Sequence, residues 1–259
     1  MMKPVQIAFA ALAALLLAPL SLRSQTVPSS GLVGYWAGNG NANDSSTQGN
    51  NGSFAGPYVS GEAGQAFQVT PTTYFSAPDI PAYSFGTAFS VGFWFFGTPG
   101  PSSGFLGQDN GSGSNNKWLI DYNYAHANSF ELHFNGTNGA YFIPSNVVSS
   151  FTNAWHQLTM VRNNANYSFY LDGSSIGTTT NSSAAFSDPT APFTIGYEEP
   201  VLTYNGAIDE VVLYNRALTA GEVQQLAAPE PTASLYLVAS LGVFGFVLRP
   251  RRCGGDSNS

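Results

Sequence analysis

Only one of the 259 residues is cysteine, and Cys253 lies almost at the C-terminus. The body of the chain therefore holds no disulfide and no cysteine-based metal or redox centre. Charge is equally scarce, at 9% of residues. Between Gln25 and Glu230 the only cations are Lys117, Arg162 and Arg216, set against fourteen acids, for a net charge of −11. So acidic a product excludes nucleic acid as a partner, because that binding rests on cations that displace counterions. Three histidines, His126, His133 and His156, show no zinc spacing. His133 alternates with apolar neighbours as a strand-face residue does, and His156, after Trp155 at a strand start, suits a structural hydrogen bond. There is no phosphate-binding glycine loop, no Gly-x-Ser-x-Gly elbow and no repeat of fixed period, which argues against a propeller.

Long apolar runs occur only at the two ends. Near the start, Lys3 precedes an apolar stretch from Ile7 to Leu17, followed by Pro19, Ser21 and Ser24. This is the layout of a secretory signal peptide over residues 1–24, with an uncleaved anchor as the alternative because Arg23 adjoins the cut. Near the end stand Pro229, Glu230 and Pro231, then an apolar run over 232–248, then Arg249, Arg251 and Arg252. As a helix that run spans roughly 26 Å, close to the thin end of a hydrocarbon core. Arginines beyond it resist translocation. A proline-flanked acid, an apolar helix and a basic stop resemble the PEP-CTERM sorting signal of Gram-negative bacteria that make extracellular polysaccharide. The resemblance covers residues 228–252 and implies an exosortase-type membrane protease as partner, a transient membrane helix, and export to the cell surface or extracellular matrix. The tail 253–259 extends past the usual end of such signals.

Between the ends, about 205 residues suffice for one large domain. Apolar residues recur at period two in Gly31 to Trp36, Ala66 to Val69, Tyr74 to Ala77, Phe89 to Phe95, Trp118 to Tyr122, Phe130 to Phe134, Ala140 to Ile143, Trp155 to Val161, Tyr167 to Leu171, Phe193 to Gly196 and Gly206 to Tyr214. Such alternation marks half-buried strands. Asp172-Gly173 is a strong hairpin turn. Only Thr219 to Ala227 reads as helix: Thr219 caps, Glu222 completes a capping box, and Val223 with Leu226 form an apolar side. About a dozen strands without βαβ alternation predict an all-β antiparallel sandwich.

Five stretches in order resemble one family. Gly31-Leu-Val-Gly-Tyr-Trp36, Asn39 to Ser46 with Gly49-Asn-Asn-Gly52, Trp155-His156, Tyr170-Leu-Asp-Gly173, and Ile208-Asp-Glu-Val-Val-Leu-Tyr-Asn-Arg-Ala-Leu218 are similar to signatures of concanavalin A-like, laminin-G-type jelly rolls. The resemblance covers 31–227 and implies a jelly roll there. It also implies a structural Ca²⁺ where the first loop meets the late strand, with Asp44, Asn50, Asp209 and Asn39 as ligands. Asx- and Gly-rich loops supply the hard oxygens calcium takes. The same side chains also serve turns, Asp44 by capping the Ser46 or Thr47 amides and Asp209 by accepting backbone N–H groups.

Aromatics beside Asn and Asp suit sugar stacking and hydroxyl recognition, so Trp118, Tyr122, Tyr124, Tyr197 and Tyr204 are candidate carbohydrate contacts, with the loop from Gly107 to Lys117 as a rim. Core packing is the competing role of each. Glycoside hydrolysis needs two carboxylates across one bond. Asp209-Glu210 and Glu198-Glu199 point to opposite faces if they are extended, and Glu131 stands alone, so a non-catalytic protein is expected. The expected function is binding of carbohydrate or extracellular matrix polysaccharide at the bacterial surface. The alternatives are a purely structural surface protein and a glycan-degrading enzyme.

Overall fold

The alternation of Phe89, Val91, Phe93 and Phe95 with Ser90, Gly92 and Trp94 builds the central strand of a large antiparallel sheet. In this computed structural model the described residues are 27–80, 85–109, 117–134, 151, 154–181 and 190–229, together with the backbone of 137–142. The expected signal peptide (1–24), Glu230, Pro231, the apolar run 232–248, Arg249, Arg251 and Arg252 lie outside them. Among the described residues no helix is long and apolar enough to cross a membrane.

In chain order the strands are β1 (Leu32–Trp36), β2 (Tyr58–Ser60), β3 (Gln65–Val69), β4 (Phe75–Ala77), β5 (Ala88–Phe96), β6 (Ser103–Gln108), β7 (Trp118–Tyr122), β8 (Phe130–Phe134) and β9 (Thr137–Phe142). Then follow β10 (Trp155–Asn163), β11 (Asn166–Leu171), β12 (Ser174–Thr180), β13 (Phe193–Ile195), β14 (Tyr197–Glu199), β15 (Leu202–Thr203), β16 (Gly206–Tyr214) and helix α1 (Ala220–Leu226). An eight-stranded sheet runs β12-β11-β10-β5-β16-β3-β2, with β1 also on β16. A six-stranded sheet runs β4-β13-β6-β7-β8-β9, and β14 with β15 form a separate hairpin. All pairings are antiparallel, as the sequence leads one to expect.

The core lies between the sheets. From the larger one come Phe93, Phe95, Leu158, Met160, Ile208 and Leu213; from the smaller, Phe105, Trp118, Ile120, Phe130, Leu132 and Phe193. Rings meet across the interface: Phe93 and Phe95 lie 5.2 and 5.1 Å from Phe105, and Trp36 stacks on Phe193 at 4.9 Å. Each buried ring contributes about 1.5–3 kcal/mol of transfer free energy, which replaces the missing disulfides.

Five strands escaped the sequence pattern: β2, β6, β12, β14 and β15. Gly104 and Gly107 dilute the alternation of β6, β12 is almost wholly Ser, Thr and Gly, and the other three span three residues or fewer. The sequence also sets Asp209 and Glu210 on opposite faces, which needs correction. Glu210 adopts φ 51° at a register shift between Asp209 and Val212. This bulge inserts one residue, so Glu210 joins Asp209 on the outer side and bonds the Tyr35 hydroxyl.

On that outer side α1 closes a second apolar cluster of Val161, Val212, Tyr214, Leu218, Val223 and Leu226. The expected capping box is present, with the Glu222 amide donating to Thr219 Oγ1 (3.3 Å) and the Thr219 amide to Glu222 Oε2 (2.8 Å). Arg216 clamps the same carboxylate through two nitrogens at 2.9 and 2.6 Å. These bonds hold the Glu222 carboxyl down at about 2, the Arg216 bond contributing most. The turn between β11 and β12 is Asp172-Gly173, with φ 50° and 73°.

Candidate functional site

The four residues expected to hold calcium do another job. Strand β1 is an edge along one side, and Val33 and Tyr35 turn their outward backbone groups toward the loop 44–50. Asn50 Nδ2 donates to Val33 O (2.8 Å), the Tyr35 amide donates to Asp44 Oδ1 (2.9 Å), and the Ser45 amide donates to Tyr35 O (2.6 Å). Asp44 also accepts from the Ser46 amide, the Ser46 hydroxyl and the Asn50 amide, each at 2.8 Å. The loop thus stands in for a neighbouring strand.

Asn39 and Asp209 hold a second segment. Asn39 Oδ1 accepts from the Gln65 amide (2.7 Å), while Asp209 Oδ2 accepts from Ala63 (3.1 Å) and Oδ1 from Glu210 (2.9 Å). Burial lifts the Asp209 carboxyl to about 8 against the pull of its backbone donors. Tyr35 bridges the two groups, with its amide on Asp44 and its hydroxyl on Glu210. The first loop therefore does meet the late strand, but the side-chain oxygens of these residues face N–H and O–H donors. That donor set does not fit a shared Ca²⁺ shell. Among the described residues no group of three or more His, Cys, Asp or Glu side chains is arranged for a metal ion.

The aromatic candidates divide. Trp118, Tyr122 and Tyr204 are 0, 2 and 1% exposed, which corrects their reading as sugar contacts. Trp118 donates to Gln108 Oε1 (2.8 Å), Tyr122 packs on Phe130 at 5.0 Å, and Tyr204 on Phe105 at 4.9 Å. Tyr124 is 41% exposed and stacks on His133 at 5.7 Å. Tyr197 is half-buried and stacks on the exposed Tyr74 at 4.4 Å. Of the expected rim, Gly107 and Gln108 belong to β6, and 110–116 lie outside the described residues.

The richest chemistry lies on the outer face of the six-stranded sheet. Period two sends Trp118, Ile120 and Tyr122 inward and leaves Leu119 and Asp121 outward. Register then places Asp121 directly opposite Glu131 on β8 and Gly104 on β6, with Leu119 opposite His133 and Gly107. Glu131 accepts from the Ala125 (3.3 Å) and His126 (2.7 Å) amides, which folds the β7–β8 turn over it and sets Tyr124 above His133.

The β14–β15 hairpin roofs this face. A Cβ on Gly104 would stand 2.5 Å from Glu198 Cγ and 2.7 Å from Leu202 O, and one on Gly107 2.7 Å from Glu198 Oε2. Only glycine lets the hairpin sit so close. Beside it Lys117 Nζ reaches Asp109 (3.2 Å) and Glu199 (3.9 Å).

Both carboxyl oxygens of Asp121 and of Glu198 lack a hydrogen-bond partner, although the residues are 0 and 2% exposed. A buried polar group left so costs about 1–3 kcal/mol, more if charged. Burial pushes both carboxyls well up; neighbouring acids add to the shift, Glu131 for Asp121 and Asp109, Asp121 and Glu199 for Glu198, while Lys117 opposes it. The sequence reads Glu131 as standing alone and Glu198 as neighboured only by Glu199 on the opposite face. Only sheet register and the hairpin reveal their company.

Two antiparallel sheets packed on an aromatic core, one sealed by a helix and the other bearing a polar outer face, define a concanavalin A-like sandwich. The chain belongs to the Laminin_G_3 family, described as the Concanavalin A-like lectin/glucanases superfamily, whose sequence model matches residues 69–224. The jelly-roll resemblance is thereby borne out. Among solved structures the chain is similar to domain 4 of AbnA, a GH43 extracellular arabinanase from Geobacillus stearothermophilus in complex with arabinotriose. The TM-score is 0.61 at 19% identity, covering 76% of this chain and 98% of that domain. It is also similar to the binding domain of Paraclostridial Mosquitocidal Protein 1 (TM-score 0.59, 17% identity, 77% of this chain and 52% of that one). A third is the Botulinum Neurotoxin Type G receptor binding domain (0.57, 14%, 76% and 51%). The chain spans about half the length of these two toxin domains. At such identities the likeness is one of fold. No curated protein matches by sequence.

Proposed function

We propose that this is an exported, non-catalytic carbohydrate-binding protein that meets extracellular polysaccharide through the outer face of its six-stranded sheet. The observation that carries the reading is the cluster there: Asp121, Glu131 and His133 on the sheet, Glu198 turned down onto it from the covering hairpin, with Lys117 and Glu199 beside them and Tyr124 presenting an exposed ring. An aromatic face beside polar groups with unused hydrogen-bonding capacity is the chemistry of sugar recognition. The arabinotriose-bound arabinanase domain, similar over nearly its whole length, is consistent with it.

Export rests on the sequence of the ends. The signal peptide over 1–24 directs the chain across the inner membrane. The PEP-CTERM tail, with its apolar run over 232–248, holds it there until an exosortase-type protease cuts near Glu230, leaving it at the surface or in the matrix. A tail intact through Arg252 in protein isolated from the host would sink the sorting step.

For the binding step, a glycan array probed with the mature protein should show a limited set of ligands, and Tyr124→Ala should weaken them about tenfold, in line with loss of one stacking contact. A silent array would leave a purely structural surface role. A second reading is glycan hydrolysis, favoured by the convergence of Asp121, Glu131 and Glu198 from three strands; release of reducing sugar that Glu198→Gln abolishes would establish it.

A further inference from the structure

The acids of this face imply a particular kind of sugar. Asp109, Asp121, Glu131, Glu198 and Glu199 gather around the single cation Lys117, whose nitrogen is turned to Asp109 at 3.2 Å and Glu199 at 3.9 Å. Glu131 is held by the Ala125 and His126 amides. Asp121 and Glu198 remain, 0 and 2% exposed, with four carboxyl oxygens that accept from nothing among the described residues. Glu198 is aimed at the sheet, lying across Gly104 and Gly107 immediately beside the position of Asp121. What these oxygens need is a compact donor with several N–H groups and a positive charge.

A neutral hydroxyl supplies one donor and no charge, whereas an ammonium group supplies three donors with the charge that two neighbouring carboxylates call for. A divalent metal is the other candidate, and the described acids are not arranged for one. We infer that the outer face of the six-stranded sheet takes an amine-bearing saccharide, its ammonium group received between Asp121 and Glu198. This rests on the reading of that face as a carbohydrate site. The hairpin is the part that yields to admit the ligand. Its strands are three and two residues long, it belongs to neither main sheet, and Val201 at its tip is 66% exposed.

Burial favours the protonated form of both acids while the site is empty, so taking up an ammonium group releases their protons to solvent and leaves the carboxylates that hold it. Around them the titratable and charged groups are Asp109, Lys117, Glu131, Glu199, His126 and His133. None of these offers Asp121 or Glu198 a hydrogen bond.

The test is calorimetric titration of the mature protein, at about pH 6 where a sugar amine is charged, with deacetylated chitohexaose and with its N-acetylated counterpart. The deacetylated oligomer should bind at least tenfold more tightly, and Asp121→Asn with Glu198→Gln should abolish that preference. Both changes are isosteric, and Glu198→Gln alone serves if the double variant fails to fold. Equal binding of the two oligomers overturns the inference and leaves the carbohydrate reading standing. A preference that survives the substitutions also overturns it, as attraction to the overall negative charge. Silence toward both oligomers, with a glycan array that is silent too, removes the carbohydrate reading itself.

Discussion

On the outer face of the eight-stranded sheet, Val161, Val212 and Tyr214 lie beneath Val223 and Leu226, and the cap of the covering helix has its donors and acceptors matched. On the outer face of the six-stranded sheet, a hairpin covers Asp121 and turns its own Glu198 down onto the sheet, leaving four oxygens unanswered among the described residues. Both faces are closed, yet only the first gains stability from closure. Apolar surface removed from water is favourable wherever it lies, whereas a polar group is neutral at best unless its partner arrives with it. The second face gives up stability at these four oxygens, where the proposed ligand would supply the partner.

The first way to break the contrast is to damage the sealed face. Leu226→Ala should lower unfolding free energy by about 2–5 kcal/mol, the cost of a cavity at a well-packed position, read by urea denaturation. It should leave any glycan affinity unchanged. The roof of the other face responds more mildly. Gly104→Ala should cost about 1–3 kcal/mol through overpacking against Glu198 and Leu202, and it should alter ligand binding because the hairpin must rise.

The smallest effect is the most diagnostic, and its direction follows from the raised carboxyls. Asp121 and Glu198 hold their protons to higher pH when folded than the values of about 3.9 and 4.3 expected unfolded. Below those values both states are protonated and the stability is fully present. As pH rises toward the folded values the unfolded chain releases protons first, so wild-type stability falls. Asp121→Asn with Glu198→Gln should therefore match the wild-type thermal midpoint near pH 3, below both unfolded values, and exceed it at pH 8. Equal midpoints at both values would mean that these acids are solvated after all.

Much of the fold was legible because it depends on local periodicity. Phe89 to Phe95 alternates cleanly, Asp172-Gly173 fits its turn by backbone conformation, and Thr219 with Glu222 announces a helix start three residues apart. The site was less legible because its parts meet only through pairing. Nothing near Glu131 in the sequence points to Asp121, and nothing near Glu198 points to either. The aromatic error has a simpler cause: Trp118 and Tyr122 were weighed by their polar neighbours, although their own spacing, with Ile120 between them, puts all three on one face and Asp121 on the other. The sequence offers Asp44 two roles, calcium ligand or cap of the Ser46 amide, and composition alone does not distinguish an oxygen offered to a cation from one already facing an amide.

The loop that carries Asp44 and Asn50 has a consequence for how many copies of this protein can share a small volume. A strand whose outward amides and carbonyls are free will accept a strand from any neighbour, including one of its own kind. Here Val33 and Tyr35 are answered by Asn50, Asp44 and Ser45. That border is finished from within, and crowding of copies against one another gives β1 no invitation to zip molecule to molecule into fibres.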